Sequence, residues 1–284
     1  MNRREEILAK ARSVQFLPPA ALQVVRLFRD SDVSIRELTR AIEFDPGLTS
    51  DVLRLANSAY FGCSYEVGSV RDAILRLGTK SVFRAVVAAA FSLAAKGAVR
   101  GYDLGPGQLW EHSMAVALAA GRLASGLGIL PRDELFTAAI LHDVGKIVLG
   151  TTVEVDGVEI LEAAGRERVS FEVAEQRVLG IDHAEVGSVL LQSWNLPAEI
   201  VEVVRWHHQP AGSRSGSTHL DVVHVADAVC ILSGIATGVE GLQYRPCPQA
   251  AARLSLKNRL LEEVTSHLLA DLGEVRNTFA YGSD

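Results

Sequence analysis

The sequence predicts an all-α fold, and three observations predict it. Apolar residues recur at helical spacing along nearly the whole chain, with no sustained alternation of apolar and polar positions. Helix starts are written into it: Ser34 with Glu37, Ser69 with Asp72 and Asp182 with Glu185 have capping spacing, and Pro19, Pro46 and Pro197 stand where proline can open a helix. The 284 residues are 48% hydrophobic but only 6% aromatic, and Ala, Leu and Val dominate, a mix suited to closely packed helices rather than a sandwich or barrel.

In chain order, residues 5–13 read as a short polar helix, and Phe16-Leu17-Pro18-Pro19 as a turn opening the next. Leu22, Val25 and Phe28 give that helix an apolar face; Leu38 and Ile42 do the same behind Ser34. Asp45-Pro46 starts a helix carrying Leu48, Val52 and Leu55, with Asn57 near its end. After Ser69 come Ile74 and Leu77, stopped by Gly78, and Thr79 opens an alanine-rich run, Val82 to Ala95, expected as a central buried helix. Residues 97–107 hold four glycines and a proline and mark a boundary. Beyond it, helices are expected over 109–124, 132–142, 170–179, 183–194, from Pro197 to His208, over 219–235 and over about 249–272. Thr151–Val155 is the one strand-like piece, and Gln209–Thr218 has the Gly/Ser content of a mobile loop.

Composition narrows the function classes. A formal net charge of −6 argues against a broad nucleic-acid footprint, and the local basic set Arg71, Arg76, Lys80 and Arg84 reads equally well as a solvated helix face. Cys63, Cys230 and Cys247 form no CxxC pair, as expected in a reducing cytosol. The charged N-terminus does not read as a secretory signal, and the apolar run near Ala85–Ala95 is too short to cross a bilayer. The expectation is a soluble, cytoplasmic protein.

The chemistry gathers around Leu141-His142-Asp143-Val144-Gly145-Lys146, which follows an apolar helical run. A side-by-side imidazole and carboxylate in apolar surroundings need a partner, either each other or a metal ion. His112 shares a face with Ala115, Val116 and Ala119; His183 with Val186, Gly187 and Leu190; His207 with Ile200, Val203 and Val204, and His208 lies beside it. Asp227 sits in the middle of Val222–Ile231, where a lone carboxylate is improbable unless paired. Singly, each of these has a structural explanation: a satisfied core histidine, a polar helix end, an Asp227–His224 pair. One metal centre built from facing helices covers all of them.

The order His112, His142-Asp143, Asp227 resembles the HD superfamily of metal-dependent phosphohydrolases, and His183 with His207-His208 resembles the additional ligands of its HD-GYP branch. The chain as a whole resembles the HDOD domain of bacterial signalling proteins. The resemblance is carried by Leu17-Pro18-Pro19, Asp45–Thr49, Leu53–Gly62, Ser69–Ile74 with Leu77-Gly78, Gly180–Gly187 and Trp194–Pro197. It covers roughly residues 12–275. It implies a bilobed helical fold with an N-terminal lobe over 1–100 and an HD-like lobe over 101–284. It further implies His112, His142, Asp143, His183, His207, His208 and Asp227 as ligands for one or two divalent ions, with Fe, Mn, Zn, Ni and Co all compatible. Lys146 stands where HD-GYP enzymes have a phosphate-contacting lysine.

Two departures follow. The His-His pair is succeeded by Gln209-Pro210-Ala211-Gly212-Ser213 instead of a glutamate and the DGxGYP loop, and Gln108 stands where a further metal-binding glutamate can occur. Both argue against cyclic di-GMP as a substrate. The expectation is therefore a signal-transduction domain acting through a protein partner, with a metal held structurally or as a sensor. A metal-dependent phosphohydrolase or phosphodiesterase using Lys146 is the alternative.

Overall fold

The computed structural model describes residues 3–14, 17–28, 33–58, 61, 66–130, 133–241 and 243–279, excepting the side chains of 133, 151–155, 240, 275 and 277–279. Phe16, Ala59, Tyr60, Gly62 and Cys63, named in the sequence reading, lie outside the described residues. The described chain is all-α; its one β feature is an isolated bridge between Val99 and Leu104. The fold has two lobes.

The smaller unit takes in Gln15–Ala94 and Leu269–Asp284. Its helices are α2 (Pro19–Leu27), α3 (Ile35–Glu43), α4 (Pro46–Ala56), α5 (Val70–Leu77) and α6 (Thr79–Ala94), preceded in the chain by α1 (Arg3–Ser13). The starts form as the sequence dictates. Glu37 N–H donates to Ser34 Oγ at 3.2 Å while Ser34 N–H donates to the Glu37 carboxylate at 3.1 Å, which satisfies two otherwise orphaned donors. Asp45 and Ser69 accept from Leu48 N–H at 3.0 Å and Asp72 N–H at 3.1 Å. Asn57 closes α4 by donating to Val67 O at 3.0 Å and accepting from Val67 N–H at 2.7 Å. The interior is apolar: α6 buries Val82, Phe83, every residue from Ala85 to Phe91, and Ser92.

The larger unit takes in Met1–Val14 and Ala95–Leu268, so α1 groups here and not with the residues 1–100 of the sequence reading. Its helices continue as α7 (Gln108–Gly126), α8 (Asp133–Leu141), α9 (Gly145–Glu167), α10 (Phe171–Leu179), α11 (His183–Ser193), α12 (Ala198–Trp206), α13 (Thr218–Leu232), α14 (Pro248–Arg253) and α15 (Asn258–Phe279), the last passing into the smaller unit at Leu269. Helix α7 is central and packs on α8 and α13; α11 packs on α9 and α12, and α1 on α9 and α11.

Three expectations are corrected. Thr151–Val155 is not a strand but part of the 23-residue α9. β-Branched residues cost only tenths of a kcal/mol each in a helix, whereas a lone strand leaves its backbone donors and acceptors unpaired. The run 249–272 is two helices, because Ser255 adopts φ +51°, a left-handed conformation no helix interior accepts. The helix begun after Pro197 ends at Trp206, and His207-His208 lie just past it.

Candidate metal centre

The polar side chains come inward from α7, the α8–α9 link, the start of α11, just past the end of α12 (His207 and His208) and the middle of α13. His112 lies within the first turns of α7, and His142 and Asp143 fill the short link between α8 and α9. His183 opens α11, where Asp182 caps the helix by accepting from Glu185 N–H at 2.7 Å. The α9–α11 crossing is close because Gly145 has no side chain: a Cβ there would stand 1.9 Å from His183 O and 2.6 Å from Gly187 N. That approach brings Asp143 to His183. Asp227 comes from the middle of α13.

All seven sequence-predicted ligands come together, and all are buried. His112, His142, Asp143, His183, His207 and Asp227 are each no more than 1% exposed, and His208 is 9% exposed. Asp143 is the hub. Its Oδ2 lies 3.2 Å from His142 Nε2 and 3.7 Å from His112 Nε2, and its Oδ1 lies 3.5 Å from His183 Nε2 and 3.7 Å from His207 Nε2. Asp227 Oδ1 meets His112 Nε2 at 3.1 Å, and its Oδ2 accepts from Tyr244 Oη at 3.3 Å.

The outer ring nitrogens fix the histidines. Nδ1–H donates to Ile235 O in His112 (2.9 Å), to Ala139 O in His142 (2.7 Å) and to Val204 O in His207 (2.8 Å). A carbonyl only accepts, so each of these Nδ1 atoms carries a proton. In the neutral rings of His142 and His207 that leaves the Nε2 lone pair pointing inward, whereas His112 Nε2 faces the Asp227 carboxylate and carries a proton when it donates to it. His183 Nδ1 donates to Glu175 Oε2 at 2.8 Å, and the same oxygen accepts from His183 N–H at 3.0 Å. Metal-ligating histidines are oriented by such outer hydrogen bonds.

The donor set carries buried atoms that a metal ion would satisfy. His142 Nε2, His207 Nε2 and Asp143 Oδ1 are buried without a hydrogen-bond partner. Leaving such atoms bare costs about 1–3 kcal/mol each. Ligand atoms of Asp143, His183, His207 and His208 lie within 4.8 Å of one another, as do those of His112, His142 and Asp143. Bonds of roughly 2.0–2.2 Å need ligand separations of this order. The residues fit a divalent ion.

Charge is arranged to keep the carboxylates ionised. Burial opposes ionisation of Asp143, but the charges of His142 and Lys146 hold its carboxyl well below the usual carboxylate range. Burial likewise opposes ionisation of Asp227, yet the His112 hydrogen bond and His142 bring it down to about 2. Burial lowers the basicity of His112, but Asp227 more than reverses that; burial and neighbouring His207 and His183 drive His208 well down.

Some residues serve the centre without having been singled out. Glu175, fully buried, orients His183 and accepts from the Tyr102 hydroxyl. Its sequence neighbours Glu172, Gln176 and Arg177 gave no signal of that role. His224 lies outside the cluster and does not pair with Asp227 by hydrogen bond: its Nδ1 donates to His207 O at 2.6 Å and its Nε2 accepts from Cys247 N–H at 2.8 Å. It holds the His207 peptide. Gln108 turns away to accept from Gly105 N–H at 2.6 Å. The loop after the His-His pair is mostly exposed, yet anchored by buried Pro210 and by Ser213 Oγ donating to Glu202 at 2.6 Å.

Fold and buried His/Asp cluster together define an HD-type helical protein. Comparison with known proteins names the family: residues 14–210 match the HDOD domain, and the chain belongs to the HDOD family of the HD/HD-GYP phosphohydrolase superfamily. It is similar to an uncharacterized protein of Treponema pallidum (strain Nichols), 27% identical over 197 residues, which is 68% of this chain and 37% of that one. The chain thus spans little more than a third of that relative's length. Among solved structures it is similar to an HDOD domain protein of unknown function from Geobacter sulfurreducens (TM-score 0.76, 24% identity, 98% of this chain and 99% of that one). It is also similar to a Shewanella amazonensis SB2B protein provisionally described as a phosphohydrolase (TM-score 0.73, 26% identity, 94% and 97%). No described helix is long and apolar enough to cross a membrane.

Proposed function

We propose that this chain is a metal-dependent phosphohydrolase of the HD superfamily, acting on a phosphate ester. The observation that carries the reading is the completeness of the donor set: His112, His142, Asp143, His183, His207, His208 and Asp227 share one buried cluster, with His142 Nε2, His207 Nε2 and Asp143 Oδ1 unsatisfied. The likeness to a protein described as a phosphohydrolase supports it. His112, His142, Asp143 and Asp227 would hold one ion, and Asp143, His183, His207 and His208 a second. A divalent ion supplies Lewis acidity toward a phosphoryl oxygen and activation of water. The chain's own part is to fix ligand orientation through Ile235 O, Ala139 O, Val204 O and Glu175, and to keep bulk water out.

A regulatory role through a protein partner is the second reading. Closure of the site favours it, since no predicted ligand is more than 9% exposed, as does the absence of the HD-GYP glutamate and loop after His208. Metal content of protein purified without added metal, with turnover of bis(p-nitrophenyl) phosphate by the Mn2+- and Zn2+-loaded forms, separates the two. Metal-dependent turnover lost in Asp227→Ala is expected. Stoichiometric metal with no hydrolysis of mono- or diesters would overturn the catalytic reading in favour of the regulatory one.

A further inference from the structure

Lys146 stands on the first turn of α9, is 2% exposed, and donates to Asp143 Oδ2 at 2.5 Å. A lysine serving a substrate phosphate has no need to be enclosed against the carboxylate shared by the two halves of the centre. The two oxygens of that carboxylate are treated differently. Oδ2 faces the ammonium together with His142 Nε2 at 3.2 Å and His112 Nε2 at 3.7 Å. Oδ1 has no hydrogen-bond partner and faces His183 Nε2 at 3.5 Å and His207 Nε2 at 3.7 Å. One side of Asp143 already has a cation against it; the other side is bare.

We propose that Lys146 is a built-in counter-cation of Asp143 that competes with divalent metal for the Oδ2 side, so that it sets how many ions the centre holds. The proposal rests on the metal-binding reading of the site. A unit charge and a divalent ion a few ångströms apart repel strongly where water is excluded. An ion among Asp143 Oδ1, His183, His207 and His208 meets no such competitor on its oxygen. An ion among Asp143 Oδ2, His112 and His142 requires the ammonium to withdraw, which the flexible four-carbon stem of lysine allows. The parent protein therefore takes one ion tightly and a second only weakly. Lys146 is a positioning residue for metal here, and not by this argument a catalytic one.

The test is titration calorimetry of the chelator-stripped full chain with Mn2+ alone and then Zn2+ alone, with thermal midpoints alongside. Parent, Lys146→Met, Lys146→Gln and Lys146→Arg are compared. The parent is expected to show one tight site and one weak one. Both neutral variants are expected to tighten the weak site by about tenfold or more, while Lys146→Arg, which keeps the charge, stays near the parent. A lysine with a merely structural role would shift the midpoint and leave the weak site where it was. Unchanged or weaker metal binding in both neutral variants overturns the inference while the metal reading stands. Two equally tight ions in the parent overturn it without recourse to any variant. Failure of the parent to bind either ion overturns the inference and the metal reading together.

Discussion

Helices α6 and α13 each bury most of their residues, yet for opposite reasons. Apart from Ser92, α6 buries only apolar residues, from Val82 to Phe91. Helix α13 buries Asp221, His224 and Asp227 among its valines and alanines. Burial of α6 is explained by removing apolar surface from water. Burial of α13 is not, because each of its polar groups costs free energy until it is paired. Asp221 is paired with Arg253 at 2.7 Å, His224 with two backbone groups, and Asp227 with His112 and Tyr244. Damage to α6 should therefore be a matter of volume, and damage to the α13 neighbourhood a matter of charge and metal.

The largest effect should come from Asp143→Ala. It removes the oxygen facing each half of the centre and strands the Lys146 ammonium in a buried site. Breaking a buried pair from one side costs about 3–5 kcal/mol. Loss of all bound metal, seen by elemental analysis, and a fall of that size in denaturant stability are expected. Phe91→Ala in α6 should cost a comparable amount, about 3–5 kcal/mol, by leaving a cavity. Metal content per folded molecule should be untouched. If Phe91→Ala strips metal as Asp143→Ala does, the contrast between the two helices fails.

Asp227→Asn should fall lower in size. An amide still accepts one hydrogen bond, but it cannot accept both the His112 and the Tyr244 contacts with full charge. A loss of about 1–3 kcal/mol is expected. Acid sharpens the same point. The Asp227 carboxyl titrates at about 2 in the fold, below its ordinary value near 3.8. Its stabilisation is thus present above pH ~4 and lost as pH falls toward 2, an amount of about 2 kcal/mol. The slope of stability against pH between 4 and 2 should be smaller in Asp227→Asn than in the parent; equal slopes would remove Asp227 from the account.

How far the chain could be read in advance follows the same division. Asp227 was visible because a carboxylate inside Val222–Ile231 contradicts its neighbours, and His142-Asp143 because they end an apolar run. Glu175 was not visible, since Glu172, Glu175, Gln176 and Arg177 together read as a polar helix surface, and its burial arises only when α10 packs on α9. Capping serines and aspartates showed themselves because their partners lie three residues away. Thr151–Val155 misled because β-branched residues signal a strand only where another strand can pair with them. The Asp143–Lys146 contact was also out of reach: spacing places the two on one helical turn but does not say that the ammonium turns inward.

The smallest effect tests the basic set on α5 and α6. Arg76 Nε donates to Asp72 at 2.7 Å across one turn, with the two side chains 45% and 33% exposed, and the Arg84 guanidinium lies 5.7 Å from the centre of the Phe61 ring. These cations are engaged with neighbours on their own surface, as a solvated helix face requires. An exposed pair of this kind contributes about 0.3–0.5 kcal/mol and is screened by salt. Arg76→Ala should therefore shift stability by no more than about that amount and lose even this at high ionic strength. Metal binding should be unchanged, because Arg76 belongs to the unit with the apolar interior and not to the one carrying the cluster. A nucleic-acid surface would behave otherwise: binding to a generic duplex would fall in the variant and the salt slope would drop by about one. Detecting that slope change by fluorescence anisotropy would give this surface a function that its local pairing argues against.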